Sequence, residues 1–140
     1  MKYVFIIFSF LCSSYALSAD ITVEMLNKFN NEYMVYSKKI VRININETVL
    51  WKATDKGHNV EFIKGALPEG VENFKSKYNV DVEYEFTIPG IYAYWCTPHK
   101  SLGMIGFVVV GDDRSNLEII SNINYYGKSK KVAKLLIEQL

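Results

Sequence analysis

Downstream of the N-terminal segment, apolar and polar residues recur in short runs with a partial period of two. Residues 21–26 (Ile-Thr-Val-Glu-Met-Leu), 40–45 (Ile-Val-Arg-Ile-Asn-Ile), 48–53 (Thr-Val-Leu-Trp-Lys-Ala) and 80–88 (Val-Asp-Val-Glu-Tyr-Glu-Phe-Thr-Ile) combine β-branched and aromatic residues with that alternation. Each is expected to be a half-buried strand, because successive strand side chains point to opposite faces. Pro89-Gly90 marks a turn. Beyond it, Ile91-Tyr-Ala-Tyr-Trp leads into Cys96, and Met104-Ile-Gly-Phe-Val-Val-Val leads away from the intervening loop, so these two runs should pair. Many short strands at close intervals predict an all-β sandwich.

The last quarter changes period. Asp112-Asp-Arg-Ser offers capping residues ahead of apolar positions 117, 120 and 123, and Ser129 precedes Val132, Leu135, Leu136 and Leu140 on one helical face. Two short C-terminal α-helices are expected, covering a face or edge of the sandwich.

The N-terminus follows neither pattern. Met1-Lys2 is a short positive region, Tyr3 to Leu11 a mostly apolar one, and Ser13 to Ala19 a stretch of small residues with cleavage expected after Ala19 or Ala16. The apolar run is shorter than the roughly 20 residues that a membrane span needs. Leu11 before Cys12 also departs from the small residue a lipoprotein site would want. Residues 1–19 therefore read as an export signal, with a single domain over 20–140 that is soluble in the periplasm and not inserted in the membrane. About 120 residues suit one compact core, and a monomer is expected.

Charge narrows the classes of partner. The chain carries 16 basic and 15 acidic residues, for a formal net charge of +1. Removing Lys2 with the signal leaves equal numbers, which argues against a general nucleic-acid binder while leaving room for local charged patches.

The candidate chemistry lies in one loop and one upstream residue. Cys96, His99 and Met104 stand in Cys-Thr-Pro-His-Lys-Ser-Leu-Gly-Met. The chain has only two histidines, and the second is His58. Two imidazoles, a thiolate and a thioether make up the ligand set of a type 1 copper site, a His-His-Cys plane with a weak axial Met. Thiolate and thioether favour Cu(I) while imidazole also suits Cu(II), so the set accommodates both oxidation states and one-electron transfer. Export supplies a second argument. Cys96 would be a lone thiol in an oxidising space, where structural cysteines pair, and metal ligation explains an unpaired one. His58 lies far upstream, so the fold must bring it to the loop.

Three other readings use some of the same residues. A cysteine hydrolase would need a histidine base and an oxyanion hole, and nothing else in the chain suggests a substrate cleft. A periplasmic copper carrier would use Cys, His and Met but needs an exchangeable, exposed site. Zinc could enter the same ligands when supply favours it.

Five blocks then carry a resemblance. Met-Leu-Asn-Lys at 25–28, Asp-Lys-Gly-His-Asn-Val-Glu at 55–61, Pro-Glu-Gly-Val-Glu-Asn-Phe-Lys-Ser-Lys at 68–77, Cys-Thr-Pro-His at 96–99 and the helical tail resemble the pseudoazurins, a branch of the cupredoxin family. The resemblance implies an eight-stranded Greek-key sandwich with His58 beside the Cys96 loop. It also implies single-electron delivery to a periplasmic reductase, namely a copper nitrite reductase, with c-type cytochromes as further exchange partners. Such a protein is a carrier, not an enzyme.

Around the ligands, Asn59 is similar to the cupredoxin residue that ties the two ligand loops, with Thr97 as its hydrogen-bond partner. Pro98 has no N–H to offer the Cys96 sulfur and stiffens the loop. Met34 matches a methionine near the exposed histidine ring, although the sequence alone reads it as packing. The resemblance makes His99 the exit for electrons, within an apolar patch. Lys28, Lys56 and Lys75 are the carried-over docking lysines, joined by Lys100 from its place beside His99. Two positions depart from the pattern. Trp95 stands where a lysine is common, which should enlarge an aromatic contact in docking, and Leu102 stands where a methionine is common.

Overall fold

The computed structural model describes residues 19–140. The expected export signal therefore lies, but for Ala19, outside the described residues. Eight strands form: β1 (Ile21–Phe29), β2 (Glu32–Tyr36), β3 (Ile40–Ile43), β4 (Thr48–Lys52), β5 (Glu61–Phe62), β6 (Val82–Glu85), β7 (Gly90–Trp95) and β8 (Ile105–Val110). A 3-10 helix at Thr97–Leu102 lies between β7 and β8, and helices α1 (Leu117–Asn122) and α2 (Lys128–Ile137) follow. The strands make two four-stranded sheets in the orders β2-β1-β4-β6 and β3-β8-β7-β5. β1 and β4 pair in parallel, as do β3 and β8, so the chain crosses repeatedly between sheets.

Two strands escaped the pattern reading. The β1–β2 hairpin turns on Asn30-Asn31, both at positive φ (47° and 65°), the backbone that a tight primed turn requires and asparagine tolerates. Met34, also at positive φ, interrupts the alternation of β2. β5 is only two residues long, too short to show a period.

The apolar residues divide into two clusters on either side of β7 and β8. Tyr92, Tyr94, Cys96, Met104, Val108 and Val110 face the other sheet together with Val23, Met25, Trp51 and Phe86. Ile91, Ala93, Trp95, Ile105, Phe107 and Val109 face the helices and pack with Ile120, Tyr125, Ala133 and Leu136. Every residue of β7 and of β8 is buried, which explains their unbroken apolar runs. The period-two rule also sets Cys96 toward the inter-sheet core and Trp95 toward the helices.

The helix starts differ from expectation. Asn116 heads α1 but makes no cap; its side chain bonds both the N–H and the carbonyl of Ile91, pinning the start of β7. Gly127 precedes α2, and Ser129 lies inside the helix with its hydroxyl turned away to Lys100. Capping gave way in both places to a bond across elements.

Candidate metal centre

Strand pairing brings the upstream histidine to the loop. β5 runs antiparallel to β7 with Glu61 opposite Trp95 and Phe62 opposite Tyr94. Continuing that register sets Asn59 opposite Thr97 and places His58 beside the 3-10 turn. β7 delivers Cys96 from its end, and Pro98 and Gly103 bound the turn that carries His99. Gly103 adopts φ +96°, which reverses the chain into β8. The Cys96 N–H donates to the Met104 carbonyl (3.0 Å) and the Met104 N–H to that of His99 (3.3 Å), so the three loop residues form one closed unit. Met104 sits just ahead of β8 and is fully buried.

The donor atoms converge. His58 Nδ1 lies 3.1 Å from His99 Nδ1, and the Cys96 sulfur lies 3.7 Å from the first and 3.4 Å from the second. A point about 2 Å from all three fits inside this triangle, which is the length of an imidazole–metal bond and near that of a thiolate–metal bond. No other group of three or more His, Cys, Asp or Glu side chains among the described residues is arranged to hold a metal. Donor types and spacing thus fit the type 1 copper set.

Electrostatics favour the same use. Burial, then the neighbouring His99, push the His58 imidazole below its ordinary 6.5, and burial lowers His99 as well. Both rings are therefore neutral at physiological pH and have lone pairs to give. Burial pushes the Cys96 thiol up, partly opposed by the backbone N–H groups of Asn59 and His99 that face it. The metal-free site holds a thiol, and a bound metal takes its proton's place.

Neighbouring side chains orient the ligands. The outer nitrogen of His58, Nε2, donates to Asn27 Oδ1 (3.0 Å), which fixes the tautomer with Nδ1 turned inward. Asn59 is fully buried; its Nδ2 donates to Thr97 Oγ1 (3.0 Å) and its Oδ1 accepts from the Thr97 N–H (2.9 Å). Thr97 Oγ1 donates onward to Glu61 Oε2 (2.6 Å), which also accepts from the Trp95 indole (3.2 Å). Burial alone would raise the Glu61 carboxyl, but the Thr97 hydroxyl, Lys75 and the Trp95 indole outweigh it and hold the group below its usual range. Asn27 and Glu61 both lie in blocks singled out by resemblance, yet only the folded contacts give them work to do.

The other candidates spread around this end. Pro98 is exposed and His99 partly exposed, beside Leu102 at 50 % exposure. Met34 packs at the edge of the inter-sheet core that contains Cys96 and Met104. Lys28 stands over the Tyr33 ring, Lys56 is exposed, and Lys75 lies 3.6 Å from Glu61. Trp95, expected as an aromatic contact for a partner, is only 8 % exposed because its strand position turns it under the helical segment. Its ring meets Tyr126 edge-on, and Tyr126 carries the exposed aromatic surface at that point.

Burial of His58, Cys96 and Met104 is the opposite of an exchangeable carrier site. Comparison with known proteins agrees. The copper binding proteins of the plastocyanin/azurin family match residues 23–111. The chain is 48 % identical to the pseudoazurin of Paracoccus pantotrophus over 69 % of its own length and 66 % of that protein's. It is 34 % identical to the pseudoazurin of Methylorubrum extorquens over 89 % and 84 %. The crystal structure of native pseudoazurin from Hyphomicrobium denitrificans superposes with a TM-score of 0.81 at 32 % identity, covering 85 % of this chain and 96 % of that one. With its donor geometry, two-sheet topology and helical tail matched together, the chain belongs to the pseudoazurins of the plastocyanin/azurin family, and is a type 1 copper electron carrier, not an enzyme.

Proposed function

We propose that the protein is a monomeric periplasmic shuttle, exported by a signal over residues 1–19, that delivers single electrons to a copper nitrite reductase and exchanges them with c-type cytochromes. His58, Cys96, His99 and Met104 hold the copper, which when bound supplies a one-electron couple that needs no bond made or broken in a substrate. The observation that carries the docking part of this reading is the position of His99. Its Nδ1 faces the Cys96 sulfur while its ring is the one among the three converging groups that is not buried.

The surroundings support a docking face there. Pro98 and Leu102 give exposed apolar surface that a partner can dry. Asn59 and Thr97 hold the two ligand segments together, so docking need not reshape the site. Met34 packs at its edge. Lys28, Lys56, Lys75 and Lys100 provide positive charge that steers an acidic partner, and Tyr126 over Trp95 adds aromatic contact. Charge of this kind accelerates encounter and is screened by salt.

Stopped-flow reduction of a copper nitrite reductase by the reduced protein tests the reading. The second-order rate should fall steeply as salt rises, and Lys28→Glu, Lys56→Glu and Lys75→Glu should each lower it without changing the visible spectrum. A rate indifferent to salt and to all three reversals would remove the docking assignment.

A further inference from the structure

The two ends of the ligand loop are held by different parts of the molecule. The Cys96 end is tied from within the sandwich by Asn59 and Thr97. The His99 end is held from outside by α2. Ser129, fully buried on that helix, donates its hydroxyl hydrogen bond to the carbonyl of Lys100, the residue directly after His99. Gly127 turns at φ +49° so close to the loop that a Cβ there would stand 2.6 Å from the Ser101 carbonyl oxygen. Gly103 also packs closely on the helix, with Lys128 and Val132 side-chain carbons at 3.3 and 3.2 Å from where its Cβ would be. The Lys100 ammonium lies over both the Trp95 and Tyr126 rings, at 5.0 and 4.7 Å from their centroids.

A serine in the first turn of a helix commonly bonds its own backbone. Here the hydroxyl leaves its helix and satisfies a carbonyl of the metal loop instead. We propose that Ser129, seated by the Gly127 turn, is a positioning residue of the copper site: it fixes the peptide after His99, and through it the aim of the His99 ring. The C-terminal helix is then part of the metal centre's frame, and it holds the loop before copper arrives. This inference rests on the copper ligand set and not on any docking partner.

The test uses the full mature chain with Ser129→Ala, Gly127→Ala and, as a control, Leu136→Ala, which loosens the same helix through its apolar face. Three quantities are read: amide hydrogen exchange at Met104 in the metal-free protein, copper loss to excess chelator, and the position of the visible band. Losing the bond leaves a carbonyl unpaired, so Ser129→Ala should speed exchange and copper loss by about tenfold and move the band. Gly127→Ala should do the same by pushing the loop, and it decides the matter if Ser129→Ala does not fold. Leu136→Ala should lower the melting temperature at least as far while leaving all three close to the parent. The proposal is overturned if Ser129→Ala folds and behaves like the parent, if Leu136→Ala reproduces its effect, or, should Ser129→Ala not fold, if Gly127→Ala behaves like the parent.

Discussion

Cys96 carries a contradiction at the scale of one side chain: it is fully buried, which favours the thiol, yet copper needs the thiolate. The backbone N–H groups of Asn59 and His99 offset part of the cost of the charged form, and a bound metal, by taking the place of the proton, supplies the rest. Cys96→Ser, which keeps a small polar side chain at the same place, should fold and should lose the intense visible band of the copper-loaded protein; a blue Cys96→Ser sample would remove the ligand assignment. Asn59 gives a second residue-scale prediction. Asn59→Ala leaves the partly buried Thr97 N–H without its acceptor and removes the fully buried Asn59 amide, a loss of about 1–3 kcal/mol in stability. Copper release to a chelator should also rise roughly 10–100-fold, since groups that orient ligands are worth that much in metal affinity. Release at the parent rate would make Asn59 ordinary packing. The ligand types were readable from sequence because their chemistry is intrinsic to each side chain. Asn27, Glu61 and Ser129 were not, because an amide, a carboxylate or a hydroxyl acquires a role only from what lies within about 3 Å of it.

Among the elements, β7 and β8 do the most to place the site. Their two buried faces send Cys96 and Met104 into the inter-sheet core and Trp95 and Ile105 toward the helices, so one residue's shift in register would reverse every assignment. Gly106 on β8 shows how tightly this is set, since a Cβ there would stand 2.5 Å from the Tyr94 hydroxyl oxygen and ring. Gly106→Ala should cost about 1–3 kcal/mol in urea unfolding through overpacking against a ring already wedged beside Tyr36 and Trp51. An unchanged midpoint would show that Tyr94 has room to move. Asn116 is the equivalent pin at the other end of β7. Asn116→Ala strips partners from both the N–H and the carbonyl of buried Ile91 and should destabilise by about 2 kcal/mol or more, measured in the same way. The long strands were legible because a period of two needs only four or five residues to show. β5 was invisible at two residues, and its pairing with β7 is what brings His58 to Cys96.

For the whole molecule, the buried site makes stability depend on pH and on metal. In the metal-free protein His58 and His99 titrate below their ordinary 6.5, so as pH falls the unfolded chain takes up protons that the native state refuses. Their contribution is complete above 6.5 and is lost as pH drops through the lowered folded values. Cys96 acts in the other direction: its contribution is complete below the ordinary 9.0 and is lost as pH rises toward the higher folded value. Melting temperatures of the metal-free protein should therefore fall on both sides of a plateau between those limits. The copper-loaded protein should instead lose stability more steeply toward acid pH, because the metal keeps both imidazoles and the thiolate deprotonated while the unfolded chain takes up those protons; parallel profiles would show that the site does not govern the pH response. The order of residues by itself determined the ligand types, the three-ligand loop, most strands, the helical tail and the near-balanced charge, because each of these is written in neighbouring positions. Only the tertiary structure decided that His58 meets the loop, that Trp95 lies beneath Tyr126 and that Ser129 reaches Lys100. Those contacts join residues 29 to 41 positions apart, and no local period encodes a distance that sheet pairing and helix docking alone create.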